Sequence, residues 1–172
     1  MADSDIEFEK VCGESLCHSA ALLAKEIWTE YYIPIIGQPQ VEYMIQKFQS
    51  KDAILRQINE EGYLYYLIKD ATGGYLGYFG VIPRKDCGEM FLSKLYIKLH
   101  ERKKGYGKAA MCFIEALSKA EGLGKIVLTV NKNNLSSIKA YLKLGFEKTE
   151  SIVADIGGGF CMDDFRMVKT LA

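Results

Sequence analysis

Arg102-Lys103-Lys104-Gly105-Tyr106-Gly107, followed by Lys108, places four cations around two glycines. A helical pattern opens directly after them. A helix start presents unpaired backbone N–H groups and a partial positive charge. Glycines let an anion approach that backbone, so the combination suits a phosphate or diphosphate. A surface turn with solvated lysines is the plain alternative. The P-loop spacing G-x-x-x-x-G-K-[ST] is absent. Gly105-Tyr106-Gly107-Lys108-Ala109-Ala110 does satisfy the dinucleotide pattern G-x-G-x-x-A. However, the next apolar run ends at Val130-Asn131, where that fold needs an acid, and about 65 residues are too few for the rest of a doubly wound domain.

A second polar group lies downstream. Asn134 and Tyr141 are two helical turns apart and share a face with Ser137 and Ile138. They can contact a ligand, or they can simply cap and pack. The candidate carboxylates are Glu89, Asp163 and Asp164. Adjacent strand residues point to opposite faces, so at most one of the last two reaches a given pocket. The five cysteines contain no C-x-x-C pair and the two histidines, His18 and His100, are far apart. This predicts neither a disulfide framework nor a metal site. Cys112 reads as a small core residue on an apolar helix face.

These residues need elements to hold them. A strand is predicted over 6–12. Leu16, Ala20, Leu23, Ile27 and Tyr31 then recur at helical spacing up to Pro34. Two more helices follow, near 39–48 and 51–60. Strands are predicted over 62–68 and 75–82 around turn chemistry at 70–74, and a longer one over 90–99. The helix after Gly105 presents Ala109, Cys112, Phe113, Ala116, Leu117 and Ala120 on one face. Ile126-Val127-Leu128-Thr129-Val130 reads as a strand covered on both sides. The next helix has Asn134 as N-cap and Gly145 at C′. Two strands around Gly157-Gly158-Gly159 close the chain. The expected fold is α/β, in the order β-ααα-βββ-α-β-α-ββ, as one domain over 1–172.

Composition narrows the partners. The 172 residues are 49% hydrophobic, enough for an ample core. Lys plus Arg equals Asp plus Glu at 22 each, so no global charge recruits nucleic acid or an anionic membrane. No apolar run reaches a membrane span. The acidic start Met1-Ala2-Asp3-Ser4-Asp5 lacks a signal-peptide layout, which predicts a cytoplasmic protein.

Arg102-x-x-Gly105-x-Gly107 resembles the [Q/R]-x-x-G-x-[G/A] acetyl-CoA motif of the GNAT superfamily of N-acetyltransferases. Asn134-x-x-Ser137-Ile138-x-x-Tyr141-x-x-x-Gly145-Phe146 is similar to the motif that follows it there, one helix and one strand later. The resemblance implies a GNAT-like mixed sheet of about seven strands flanked by helices. Trp28 to Pro34, Tyr43-Met44 and the tail Gly158-Gly159-Phe160-x-Met162-Asp163-Asp164-Phe165 resemble the PaiA-type branch, associated with polyamine acetylation.

The implied reaction moves an acetyl group from acetyl-CoA to a primary amine by direct attack. By resemblance, backbone groups of Leu95, Tyr96 and Ile97 pair with the pantetheine arm. Residues Arg102, Lys103, Lys104, Gly105, Tyr106, Gly107 and Lys108 hold the pyrophosphate, and Asn134 and Ser137 contact the coenzyme. Tyr141 is the natural acid for the departing thiolate, because a phenol donates at neutral pH. Deprotonating an aliphatic amine at neutral pH costs about 4–5 kcal/mol, so an acid should assist. Ser93-Lys94 stands where many relatives place a carboxylate. Glu89 is then the expected base, acting through water, unless it is an exposed strand-end charge. Trp28, Tyr31, Tyr32 and Asp163 are the expected acceptor-binding residues, with a small amine such as a polyamine as partner. Protein or peptide N-acetylation and a non-catalytic acyl-CoA-binding module are the alternatives. A homodimer is implied by the family resembled, and no metal is expected.

Overall fold

The computed structural model describes residues 6–172; the acidic start at residues 1–5 lies outside them. Seven strands form one sheet in the order β1-β2-β3-β4-β5-β7-β6. The chain gathers into two compact units, one built on residues up to Ile82 with Lys94–Phe113, the other on Pro83–Ser93 with Ile114–Ala172.

The first unit contains β1 (Ile6–Lys10), α1 (Gly13–Tyr31), α2 (Ile33–Ile36), α3 (Gln38–Phe48), α4 (Lys51–Glu60) and β2 (Leu64–Asp70). It also holds most of β3 (Tyr75–Arg84), the end of β4 (Glu89–Ile97) and the start of α5 (Tyr106–Ala120). Four helical segments stand where three were expected. The extra one is the single turn α2, with Pro34 in its first turn, where a missing N–H costs nothing. Ser50 caps α4 by accepting from Ala53 N at 3.2 Å. The turn between β2 and β3 is held by Asp70, whose Oδ1 accepts from Thr72 N, Thr72 Oγ1 and Gly74 N.

Alternation along the strands sorts this unit's core. Phe8, Tyr66 and Phe79 meet Phe113 of α5, with ring centroids 4.6–5.9 Å apart. Tyr65, Tyr78 and Lys94 face the other way, onto Gln49, Gln57 and the Phe48 carbonyl. β3 and β4 approach closely at Gly77, where an added Cβ would lie 2.2 Å from the Tyr96 carbonyl oxygen.

The second unit holds β5 (Lys125–Asn131), α6 (Leu135–Lys143), β6 (Glu147–Gly157) and β7 (Phe160–Thr170), with the start of β4 and the rest of α5. β4 runs parallel to β5 from Glu89↔Lys125 to Leu92↔Leu128, and β7 is antiparallel to β5 from Lys125↔Thr170 to Asn131↔Asp164. Ile126, Val127, Leu128 and Val130 are buried, as a covered strand requires.

The α5 face differs from the expected one. Ala110, Met111, Ile114 and Ser118 are buried, while Cys112 is exposed. Of the expected face, Ala109, Phe113 and Leu117 are half-buried, while Cys112, Ala116 and Ala120 are exposed. Ser118 is the reason the sequence misleads: a polar residue at a core position, it satisfies its hydroxyl on the Ile114 carbonyl at 2.7 Å. No helix among the described residues is long and apolar enough to cross a membrane.

Candidate active site

In the first unit, β4 ends at Ile97 and a 3-10 turn, Leu99–Glu101, leads into the basic loop. Arg102 is extended, with φ −69° and ψ 158°. Lys103 follows with φ +64°, the one non-glycine residue at positive φ among the described residues. That conformation costs an L-residue about 1–2 kcal/mol. Gly105 follows at φ +94°. Successive backbone N–H groups in a turn can line an anion-binding concavity. An added Cβ at Gly105 or Gly107 would meet nothing within 4 Å. The space over this backbone is open, so the loop fits a diphosphate.

The four cations differ in availability. Lys103 and Lys108 are exposed. Lys104 Nζ is paired with Glu101 at 2.9 Å. The Arg102 guanidinium lies over the Tyr31 ring, 3.6 Å from its centroid, and its Nε donates to the Ile97 carbonyl at 3.1 Å. Of the strand residues expected to meet pantetheine, Leu95 and Tyr96 are half-buried and Ile97 is buried.

The expected acceptor residues Trp28, Tyr31 and Tyr32 form one aromatic group. Trp28 stacks on Tyr32 at 4.4 Å and meets the edge of Tyr96 at 5.3 Å, while Tyr31 packs edge-on against Tyr32 at 4.9 Å. Trp28 is buried.

Beside this group lies a feature the sequence did not disclose. Lys94 Nζ donates to the Phe48 carbonyl at 2.6 Å, to Gln57 Oε1 at 3.0 Å and to Tyr65 Oη. The ammonium thus satisfies a carbonyl at the C-terminus of α3, where the helix dipole favours a cation. Burial brings its pKa down to about 7, with Glu61 opposing the shift. Its only sequence signal was a lysine within an apolar strand pattern.

In the second unit, α6 is organised as expected. Asn134 is buried and its Oδ1 accepts from Ser137 N at 3.3 Å, capping the helix. Tyr141 is half-buried, with its ring edge-on to Phe146 at 5.5 Å. Strand pairing places Glu89, Lys125, Thr129, Asn131, Asp164 and Arg166 on one polar side of the sheet.

The candidate carboxylates differ in their surroundings here. Glu89 is buried at 6% exposure, so it is not an exposed strand-end charge. Its oxygens meet Arg84 at 3.3 Å, and Lys125 and Arg166 at 3.5 Å each. Asp163 is exposed and paired with Lys132 at 2.5 Å. Its neighbour Asp164 is the buried one. Burial pushes the Asp164 carboxyl up to about 6, against a hydrogen bond to Thr129; Asp163 adds to the rise and Lys132 opposes it. Strand parity could have separated the pair, but only the β5–β7 register says which one faces inward.

Among the described residues, no cluster of His, Cys, Asp and Glu has a metal-binding arrangement. The family model for the acetyltransferase (GNAT) family matches residues 23–146. The chain belongs to that family. It is an acetyl-CoA-dependent N-acetyltransferase. Among solved structures, the PaiA N-acetyltransferase of Thermoplasma acidophilum in complex with coenzyme A is similar at TM-score 0.76 and 25% identity, covering 96% of this chain and 98% of that one. A GCN5-related N-acetyltransferase from Rhodopseudomonas palustris reaches TM-score 0.81 at 15% identity, covering 99% of each chain. The spermidine N-acetyltransferase of Vibrio cholerae in complex with CoA and spermine gives 0.71 at 16%, covering 97% and 96%. At these lower identities the likeness concerns the GNAT fold. No curated protein matches the sequence.

Proposed function

We propose that this GNAT enzyme acetylates a primary amine of a small aliphatic polyamine, with residues 1–172 acting as one catalytic domain. The observation that carries the acceptor class is the similarity to a PaiA N-acetyltransferase over nearly the whole chain, together with the PaiA-like marks in the helical insert and tail. When bound, acetyl-CoA supplies an activated acetyl thioester. The loop of residues 102–108 orients its diphosphate through backbone N–H groups, with Lys103 and Lys108 adding charge. The main chain of Leu95, Tyr96 and Ile97 aligns the pantetheine arm. Asn134 and Ser137 keep the start of α6 in register for the coenzyme. The Tyr141 phenol holds the proton that the thiolate needs on leaving.

Proton removal from the amine falls to Asp164. Its carboxyl is buried, and burial raises its pKa to about 6, whereas both Glu89 oxygens are paired with cations. Glu89 therefore holds Arg84, Lys125 and Arg166 together. Tyr32, with the buried Trp28 stacked behind it, presents aromatic surface to the acceptor's alkyl chain, and the exposed Asp163 offers charge to a distal ammonium. A cytoplasmic homodimer completes the proposal. The test is acetyl transfer with spermidine, spermine and a panel of other amines. Turnover of the two polyamines supports the reading; silence with both while other amines react defeats it.

A further inference from the structure

Three attachments join the last half of α1 to the seven residues that lead into the basic loop. Lys98 Nζ meets Glu26 at 3.4 Å, Trp28 meets the Tyr96 ring, and Tyr31 lies under the Arg102 guanidinium. The third is reinforced by a hydrogen bond from the same side chain. Arg102 is half-buried, its guanidinium carbon 3.6 Å from the Tyr31 ring centroid, with Nε donating to the Ile97 carbonyl. The left-handed turn at Lys103 begins at the very next residue. Arg102 is thus clamped between strand end and helix at the point where the loop backbone must adopt its costly conformation.

We infer that Tyr31 and Arg102 form a strut that sets the coenzyme loop, so that Tyr31, on the helix expected to serve the acceptor, is a positioning residue for the coenzyme. Arg102 acts through the backbone it fixes. A guanidinium that merely supplied charge to a diphosphate would need neither the ring beneath it nor the strand carbonyl. Stacking depends on a planar group, and a lysine in its place keeps the charge and loses the plane. The strut also gives α1 a physical route to the coenzyme loop, because Tyr31 packs against Tyr32 and Tyr32 against Trp28.

The inference rests on the reading that residues 102–108 hold the coenzyme's diphosphate, and the test separates the two. Coenzyme A binding is measured by calorimetry on the wild type and on Tyr31→Ala, Tyr31→Phe and Arg102→Lys, with circular dichroism confirming that each is folded. Absence of binding to the wild type defeats the loop reading itself. With the wild type binding, Tyr31→Ala and Arg102→Lys should each weaken coenzyme A about tenfold, the size of one partly desolvated cation–π contact. Tyr31→Phe, which keeps the ring, should restore affinity to within about twofold of wild type. At saturating acetyl-CoA the amine KM of Tyr31→Ala should be unmoved. Wild-type coenzyme affinity in Tyr31→Ala or in Arg102→Lys overturns the strut. So does a Tyr31→Ala effect confined to the amine KM.

Discussion

Replacing Lys94 by Met removes a buried ammonium while keeping the length of its stem. The folded-state pKa of Lys94 is brought down to about 7 from 10.5 by burial. Between pH 7 and pH 9 the unfolded chain keeps this proton while the folded chain gives it up. The unfolded state binds more protons, so stability rises with pH across that window. The bound-proton difference grows from about one half to nearly one, and at about 1.4 kcal/mol per pH unit the wild type gains ~2 kcal/mol. Lys94→Met cannot make that gain. The buried thiol Cys17 and the exposed Cys87 also have raised pKa values, but they are present in both proteins and cancel in the difference. Urea unfolding at pH 7, 8 and 9, followed by the fluorescence of Trp28, the sole and buried tryptophan, reads the effect. Wild-type stability should climb relative to the variant by ~2 kcal/mol. Parallel pH dependences would show that Lys94 stays protonated in the fold and would refute the reasoning.

Tyr141→Phe should lower kcat by about a hundredfold or more with coenzyme affinity retained, as loss of a general acid requires; a thiol-release assay with unchanged kcat removes the role. Wild-type kcat/KM should fall below about pH 6 as Asp164 takes up its proton, and Asp164→Asn should lose rate and this acid limb together; a variant profile matching wild type assigns the base elsewhere. Because folding raises the Asp164 pKa, its contribution to stability is largest below the ordinary aspartate range and is lost as pH rises through about 6. Asp164→Asn should flatten that decline in acid-range denaturation curves. Gly77→Ala should destabilise by about 3 kcal/mol or more, since its Cβ meets strand backbone and not a movable side chain; a thermal midpoint within a degree or two of wild type would contradict the close approach of β3 and β4.

Much of this architecture could be read from local pattern. The apolar run at residues 126–130, the cap at Asn134 and the left-handed Gly145 each follow from short-range rules, and each stands where those rules put it. The paired motifs at Arg102–Gly107 and Asn134–Phe146 pointed to the family. What sequence could not supply depends on partners far along the chain. Lys94 meets Phe48, 46 residues away, and Arg166 reaches Glu89 across 77. The rotation of α5 turned on one buried serine that completes its bonding within the helix. The inward carboxylate of the 163–164 pair was hidden for the same reason: parity gives alternation, but only a neighbouring strand gives its phase.

The basic loop has a consequence for ionic strength. Lys104 is already balanced by Glu101, and Arg102 is occupied by Tyr31 and a strand carbonyl. Only Lys103 and Lys108 are left to meet an incoming diphosphate as free counter-charges. In the proposed function the rest of its recognition falls to backbone N–H groups, which carry no net charge for dissolved ions to screen. Coenzyme affinity should therefore decline gently with added salt, much less than four neighbouring cations in sequence would suggest. A loop that looks in sequence like an electrostatic magnet has, in structure, two of its four cations already engaged by neighbouring side chains.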